Sequence, residues 1–220
     1  VLAYGFAYAV QRTTMPFRNV LRIVALLPVF SPSLVQALGL QFLLGRNGFV
    51  NRTFGTEIDI YGFWGIFISD VVYAFPHAFL ILSTALAVAD ARLYESADSL
   101  GAGAWRIFRT VTLPATRYGL ASAAFVVFTI VITDFGNAVV IGGNYSVLAV
   151  EIYNQVSGQA NFSMGAVIGV LLLLPAALAV IGEKWIARRQ FASLTSQSIP
   201  LVVQPNRARD AAWFVYSVIV

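Results

Sequence analysis

Long apolar runs, each closed by a short polar or charged cluster, set the pattern of this chain. Four runs are complete: about Val20–Leu44, Tyr61–Ala89, Gly119–Ile141 and Met164–Trp185. Two shorter ones, Val1–Val10 and Ala211–Val220, stand at the ends. Crossing roughly 30 Å of hydrocarbon takes about 20 apolar residues as a helix, so every complete run can span a bilayer. Lipid offers no hydrogen bonds to the backbone, which restricts spanning segments to helices and closed barrels. The Leu- and Ala-rich runs lack the alternation of a barrel strand. The pattern therefore predicts an all-α polytopic transmembrane helical bundle, with spans near 1–10, 20–44, 61–89, 119–141 and 164–185.

Because both terminal runs are only part of a span, the chain is expected to be an internal piece of a larger membrane protein, truncated at both ends. The stretch "TSQSIPLVVQPNRARD", Thr195–Asp210, is polar and contains Pro200 and Pro205. It predicts a cytoplasmic linker over 191–210, between a first transmembrane unit at 1–190 and the start of a further helix, in a second unit, at 211–220.

The spans carry polar interruptions. Pro28, Pro32, Gln36 and Gln41 lie within 20–44; proline removes a backbone donor and kinks a helix, and glutamine in lipid is costly, so this helix is expected inside the bundle. Asp70 lies in "FISDVVYAF"; Asp134 and Asn137 lie one turn apart in "VITDFGNAVV". Polar groups at membrane depth mark pathways by default, so Asp70, Asp134 and Asn137 are candidates for the passage or gate, with a structural bond to a neighbouring helix as the alternative. His77, after Pro76, is expected to face the bundle in a structural role. Gly142–Ser163 is too long for a simple turn. Leu148, Ile152 and Val156 repeat there at i+4 beside Glu151, Asn154 and Gln155, which predicts an amphipathic helix at the membrane face. Glu151 is a further gate candidate; a helix that only caps the bundle is the alternative.

Composition narrows the class. The 220 residues are 59% apolar and 11% charged, where a soluble domain is about a quarter charged. There is no cysteine and a single histidine, which excludes a disulfide framework, a thiolate metal site and a multi-histidine centre. The net charge of +4 does not require nucleic acid, because the basic residues follow the membrane. If 90–118 is cytoplasmic, so are 11–19 and 186–210, and with their flanks these segments hold 12 of the 14 Lys and Arg residues. Arg46 and Arg52, beside Glu57 and Asp59, remain on the other side in a solvated loop. That asymmetry obeys the positive-inside rule and sets 45–60 and 142–163 on the opposite, non-cytoplasmic side, which is the periplasm if the membrane is a bacterial inner one.

The cytoplasmic segment "ESADSLGAGAWRIFRTVTLP", Glu95–Pro114, is too long and too ordered for a simple connection. Its spacing predicts a helix to about Leu100, a hinge at Gly101–Gly103, and a second helix that Pro114 ends. Trp105, Phe108 and Thr112 fall on one face of the second helix, with Arg106 and Arg109 away from it. An aromatic ridge on a short helix suits a groove in another protein.

The spacing Glu95-Ser96-Ala97, three residues, Gly101, nine residues, Val111-Thr112-Leu113-Pro114 resembles the EAA motif of the inner-membrane permeases of binding-protein-dependent ABC importers. Ser96 and Val111 are its two departures. In that family the loop couples to the ABC ATPase. The resemblance thus implies a methionine-importer-like permease fold and a coupling surface containing Glu95, Ser96, Ala97, Gly101, Trp105, Phe108, Val111, Leu113 and Pro114. It also implies a cytoplasmic ATPase dimer, a periplasmic substrate-binding protein and a second permease unit as partners. The regions flanking the motif look like the double-length permeases of the iron(III) and 2-aminoethylphosphonate importers, with a lean towards the phosphonate; other small solutes such as polyamines or sulfate are the alternative. No cofactor is expected in this chain. It contains no phosphate-binding G-x-x-x-x-G-K-[ST] loop, so ATP belongs to the partner. An intramembrane enzyme lacks the necessary nucleophile and metal-ligand motifs. An ion-coupled secondary transporter, with Asp70 and Asp134 as ion carboxylates, is the rival class.

Overall fold

In the computed structural model, which describes residues 1–193, 201, 203 and 205–220, every regular element is helical. In chain order these are α1 (Leu2–Arg12), α2 (Arg18–Leu26), a 3-10 turn (Leu27–Phe30), α3 (Ser33–Leu44), α4 (Phe49–Phe54) and α5 (Phe63–Ala87). There follow α6 (Ala91–Ser99), α7 (Ala104–Ile107), a π-turn (Phe108–Thr112) and α8 (Leu113–Ile132). The last are α9 (Gly136–Ile141), α10 (Leu148–Tyr153) with a π-turn (Asn154–Gly158), α11 (Phe162–Ser193) and α12 (Arg207–Ile219). Of the expected linker, residues 194–200, 202 and 204 lie outside the described residues.

Among the described residues, three helices are long and apolar enough to cross a membrane: Phe63–Ala87, Ala104–Ile132 and Phe162–Arg188. The predicted span at 20–44 is not one rod. It is broken at Ser31–Pro32 into Arg18–Phe30 and Ser33–Phe54. Pro32 cannot donate to the preceding turn, and the carbonyls left over find Gln36, whose Nε2 donates to Pro28 C=O at 2.7 Å and Ser31 C=O at 3.2 Å. Gln36 therefore serves the bend. The predicted span at 119–141 is also corrected: its helix starts far earlier and stops at Ile132, and Gly136–Ile141 is a separate element. Pro114, expected to end a helix, lies instead in the first turn of α8. The preceding π-turn explains this. There Leu113 N–H reaches back to Phe108 C=O, so the bonding register has already shifted by one residue when the proline arrives.

The chain divides into two compact units. The first comprises 1–26, 75–126 and 181–220. Its core is aromatic: Phe6 meets Phe75 and Phe79 edge-on at centroid distances of 5.5 and 5.2 Å, and Phe79 and Leu86 are wholly buried. Helix α12 lies against α1 through Tyr8–Trp213 ring contact at 5.1 Å, Tyr216 Oη donating to Leu2 C=O at 3.0 Å, and a Thr14–Asp210 hydrogen bond.

The second unit comprises 27–74 and 127–180. Ala37, Ile60 and Ile141 form its buried cluster, flanked by Leu40, Leu44 and Val140. The predicted solvated loop between α3 and α5 is held by buried Asn51. Its Nδ2 donates to Gly45 and Ile58 carbonyls at 3.0 and 2.7 Å, and its Oδ1 accepts from Ile58 N–H and the Thr56 hydroxyl at 2.9 and 2.7 Å. Arg46 and Asp59 pair at 3.1 Å in the open. The Tyr61 backbone N–H, and then Arg46, hold the Asp59 carboxyl below the usual carboxylate range.

Helices α3 and α9 meet closely because Gly136 has no side chain. A Cβ there would lie 2.4 Å from Ser33 Oγ and 2.5 Å from the Leu34 backbone nitrogen. Backbone cannot move aside as a flexible side chain can. Gly136→Ala should therefore lose about 1–3 kcal/mol, read as a lower melting temperature of the detergent-solubilised protein; an unchanged melting temperature would mean that α3 and α9 separate freely.

Candidate functional site

The Glu95–Pro114 motif builds an elbow within the first unit. Asp90 starts it, its Oδ1 accepting from Arg92 N–H at 3.1 Å as an N-cap. At the other end of α6, Ala102 N–H bonds Ala97 C=O at 3.0 Å and Gly101 N–H bonds Asp98 C=O at 2.8 Å. This is a Schellman closure, with Gly101 as the left-handed residue (φ +70°) and Ala97 three positions from the helix end. Gly103 then opens the second limb, where Ile107 N–H reaches Gly103 C=O at 3.0 Å. The limb runs through the π-turn into α8 without a break.

Not all of the expected aromatic ridge faces outward. Trp105 is 72% exposed, but Phe108 turns inward against Tyr4 and Tyr8, at 6.2 and 5.9 Å between ring centroids. Thr112 is buried. The two limbs differ because the second must cover α1. The exposed crest consists of Leu93, Leu100 and Trp105, with Arg92, Arg106 and Arg109 beside it. Glu95, Ser96, Gly101, Leu113 and Pro114 also lie on the exposed side, whereas Ala97 and Val111 are half-buried.

Behind the elbow, α1 presents Tyr4, Tyr8 and Arg12 at i, i+4 and i+8, one stripe of a helix. Tyr4 Oη lies 2.8 Å from Thr116 Oγ1, which is itself 2.9 Å from Thr112 C=O. Since the Thr116 hydroxyl gives its one proton to that carbonyl, Tyr4 donates to Thr116. Buried Arg12 donates from Nη2 to Leu86 C=O at 2.8 Å, in the last turn of α5, and to Tyr94 Oη at 3.3 Å, with its guanidinium 4.6 Å from the Tyr94 ring centre. Tyr94 Oη donates onward to Thr112 Oγ1 at 3.1 Å.

A separate polar cluster lies in the second unit and joins three of the predicted passage residues. Asn137, fully buried at the start of α9, donates from Nδ2 to Asp70 Oδ1 at 2.7 Å and accepts from Ser69 Oγ at 2.7 Å. Its backbone N–H goes to Asp134 Oδ2 at 2.8 Å, which closes the first turn of α9 as a capping carboxylate does. Asp70 and Asp134 border a cavity of about 350 Å³ with Phe63, Phe67, Tyr145 and Leu172. Glu151 is not among its lining residues. It sits on the predicted amphipathic helix, accepting from Gln155 Nε2 at 2.8 Å and Ser146 Oγ at 3.3 Å. Those bonds, Gln155 first, hold its carboxyl below the usual range.

Residues 3–192 match the family described as the binding-protein-dependent transport system inner membrane component. The chain belongs to that family. It is accordingly a multi-pass inner-membrane permease of the ABC importer type. The permease is 30% identical over 205 residues to the putative ferric transport system permease protein FbpB 1 of Haemophilus influenzae, covering 89% of this chain and 32% of that one. It is also 30% identical to the ferric transport system permease protein FbpB of Actinobacillus pleuropneumoniae. It thus spans about a third of the length of these relatives, 32% and 30%. The molybdenum transport system permease protein ModB of Escherichia coli is 27% identical, with 83% of each chain covered. A solved bacterial ABC transporter involved in alginate import has the same fold, with a TM-score of 0.60 at 15% identity over 87% of this chain and 73% of that one.

Sequence patterning alone did not single out Arg12, Tyr94 or Asn51 in this permease. The i, i+4, i+8 spacing of Tyr4, Tyr8 and Arg12 in an otherwise apolar run was the available signal. For the second unit, Asn137→Ala should leave Asp70 and Ser69 without their shared partner, and stranded buried polar groups cost about 1–3 kcal/mol each. The expected result is a lower melting temperature in detergent for Asn137→Ala than for the exposed substitution Asn144→Ala; equal values would show that water replaces the amide.

Proposed function

We propose that the chain forms part of the substrate passage of an ATP-driven importer and couples to a cytoplasmic ATPase dimer through the 90–118 elbow. The observation that carries this is the exposed crest. Leu93, Leu100 and Trp105 project from a segment rich in arginine, where water, not lipid, would otherwise surround them. Apolar groups held out on a capped, glycine-hinged elbow fit a groove in a partner. The chain supplies no hydrolysis. It supplies contacts that differ between two states of the ATPase, which any such coupling requires. In this reading 90–118 and 186–210 face the cytoplasm, and 45–60 and 142–163 face the periplasm and a substrate-binding protein. A second permease unit completes the passage.

For the cargo we favour ferric iron, because the two relatives at 30% identity are ferric permeases by name. The pair Asp70 and Asp134 beside the second unit's cavity is compatible with a cationic cargo. The sequence-based lean towards 2-aminoethylphosphonate has the support of the flanking motifs alone.

Gly101 gives the test. A Cβ there would meet nothing, so Gly101→Val acts only through its left-handed backbone, which a β-branched residue adopts at a cost of about 1–3 kcal/mol. In the full-length transporter, Gly101→Val should abolish co-purification of the ATPase and uptake while membrane insertion persists. Retained association would overturn the docking reading. Uptake by ATP-depleted vesicles under an ion gradient would instead establish a secondary transporter.

A further inference from the structure

A glycine-hinged elbow has a mechanical weakness. Pushed at its crest, it would fold at Gly101–Gly103 and dissipate the displacement. The structure closes this weakness with one side chain. Tyr94 stands on the first limb, Thr112 on the second, and the 3.1 Å hydroxyl bond between them bridges the hinge. Both limbs are then fastened to α1. Tyr4 reaches the second limb through Thr116, Tyr8 packs on Phe108, and Arg12 bonds Tyr94. Arg12 also bonds Leu86 C=O at the end of α5.

We infer that the Tyr4–Tyr8–Arg12 stripe of α1, joined to the elbow at Tyr94, is the strut that carries the elbow's displacement into α1 and the end of α5. The inference rests on the docking reading above. Tyr94 is a positioning residue: its ring lies half-buried behind the crest, and it acts by making the elbow rigid. Ordinary packing would explain one of these contacts. It does not account for two hydrogen-bond chains from one helix converging on Thr112, one through its side chain and one through its carbonyl. Nor does it account for a buried guanidinium whose described partners are all neutral: a carbonyl, a phenol and a ring face.

The test measures rigidity directly in the full-length transporter with its ATPase. These 220 residues have no cysteine, so once any cysteines elsewhere in the transporter and its ATPase are replaced, spin labels at Leu2→Cys and Asp98→Cys, both exposed, report the distance between α1 and the elbow. In the parent that distance should stay single and narrow in nucleotide-free and vanadate-trapped states. Tyr94→Phe, which keeps the ring and loses the bridge, should broaden it by about twofold or more, with membrane insertion and ATPase association retained, since coupling is carried by packed elements with discrete arrangements. Thr112→Val repeats the test from the accepting side. A purely structural role would lower the yield of folded protein and leave the width among folded molecules unchanged. Unaltered widths in both variants, or a parent distance that shifts with nucleotide, would overturn the strut. A parent that fails to retain the ATPase would overturn the docking reading, and the strut with it.

Discussion

A buried guanidinium at the end of a greasy helix ties together the elements that supply its partners. Removing such a charge from water costs several kcal/mol unless its donors find partners, and hydrogen bonds to charged groups return about 1.5–3 kcal/mol each. Arg12 Nη2 finds them in the last turn of α5 and in Tyr94, while the buried Nε has no hydrogen-bond partner among the described residues. A helix terminus leaves its final carbonyls without donors, and a cation there also meets the negative end of the helix dipole. The helix end and one nitrogen of the guanidinium meet each other's needs. One consequence is that α1, the end of α5 and the start of the elbow are tied at one point, although 74 and 82 residues of sequence separate Arg12 from its partners.

The second unit solves a similar problem with an amide. Stopping α8 at Ile132 and starting α9 at Gly136 leaves the first backbone donors of α9 without helical partners, and a buried unsatisfied group is expensive. Asp134 takes the Asn137 N–H, and the Asn137 side chain takes Ser69 and Asp70. Asp70 and Asp134 were candidates for the passage on the ground that charged groups in membranes are functional. Their geometry gives each a structural task as well, and the two roles are compatible: a carboxylate held by a buried amide keeps a fixed position beside a cavity.

The long apolar runs made the helical class legible, because length and hydropathy alone decide whether a segment can span. They did not make helix ends legible. The break at Ser31–Pro32 depends on Gln36, which takes the Pro28 and Ser31 carbonyls, and the break at Thr133–Phe135 depends on Asp134, which takes the Asn137 N–H. The failure at Pro114 is of the same kind, since a proline ends a helix only if the preceding turn keeps its ordinary register, and the π-turn does not. Exposure along the second limb was misjudged at Phe108 and Thr112 because a helical wheel gives a face its residues but does not say which face a neighbouring helix covers.

The motif itself divides into shape and surface. Ala97 and Gly101 occupy the positions that a Schellman closure needs, and Leu113–Pro114 mark where the π-turn hands over to α8. These letters specify where the elbow bends and its continuity with a helix long and apolar enough to span a membrane. The apolar crest, Leu93, Leu100 and Trp105, comes mostly from between and outside them. On the proposed reading, a spacing rule can therefore persist through changes of contact chemistry, as its own Ser96 and Val111 illustrate. What it must preserve is the path by which a push on the crest meets no compliant joint, and in this chain that path needs Tyr94, which the motif does not contain.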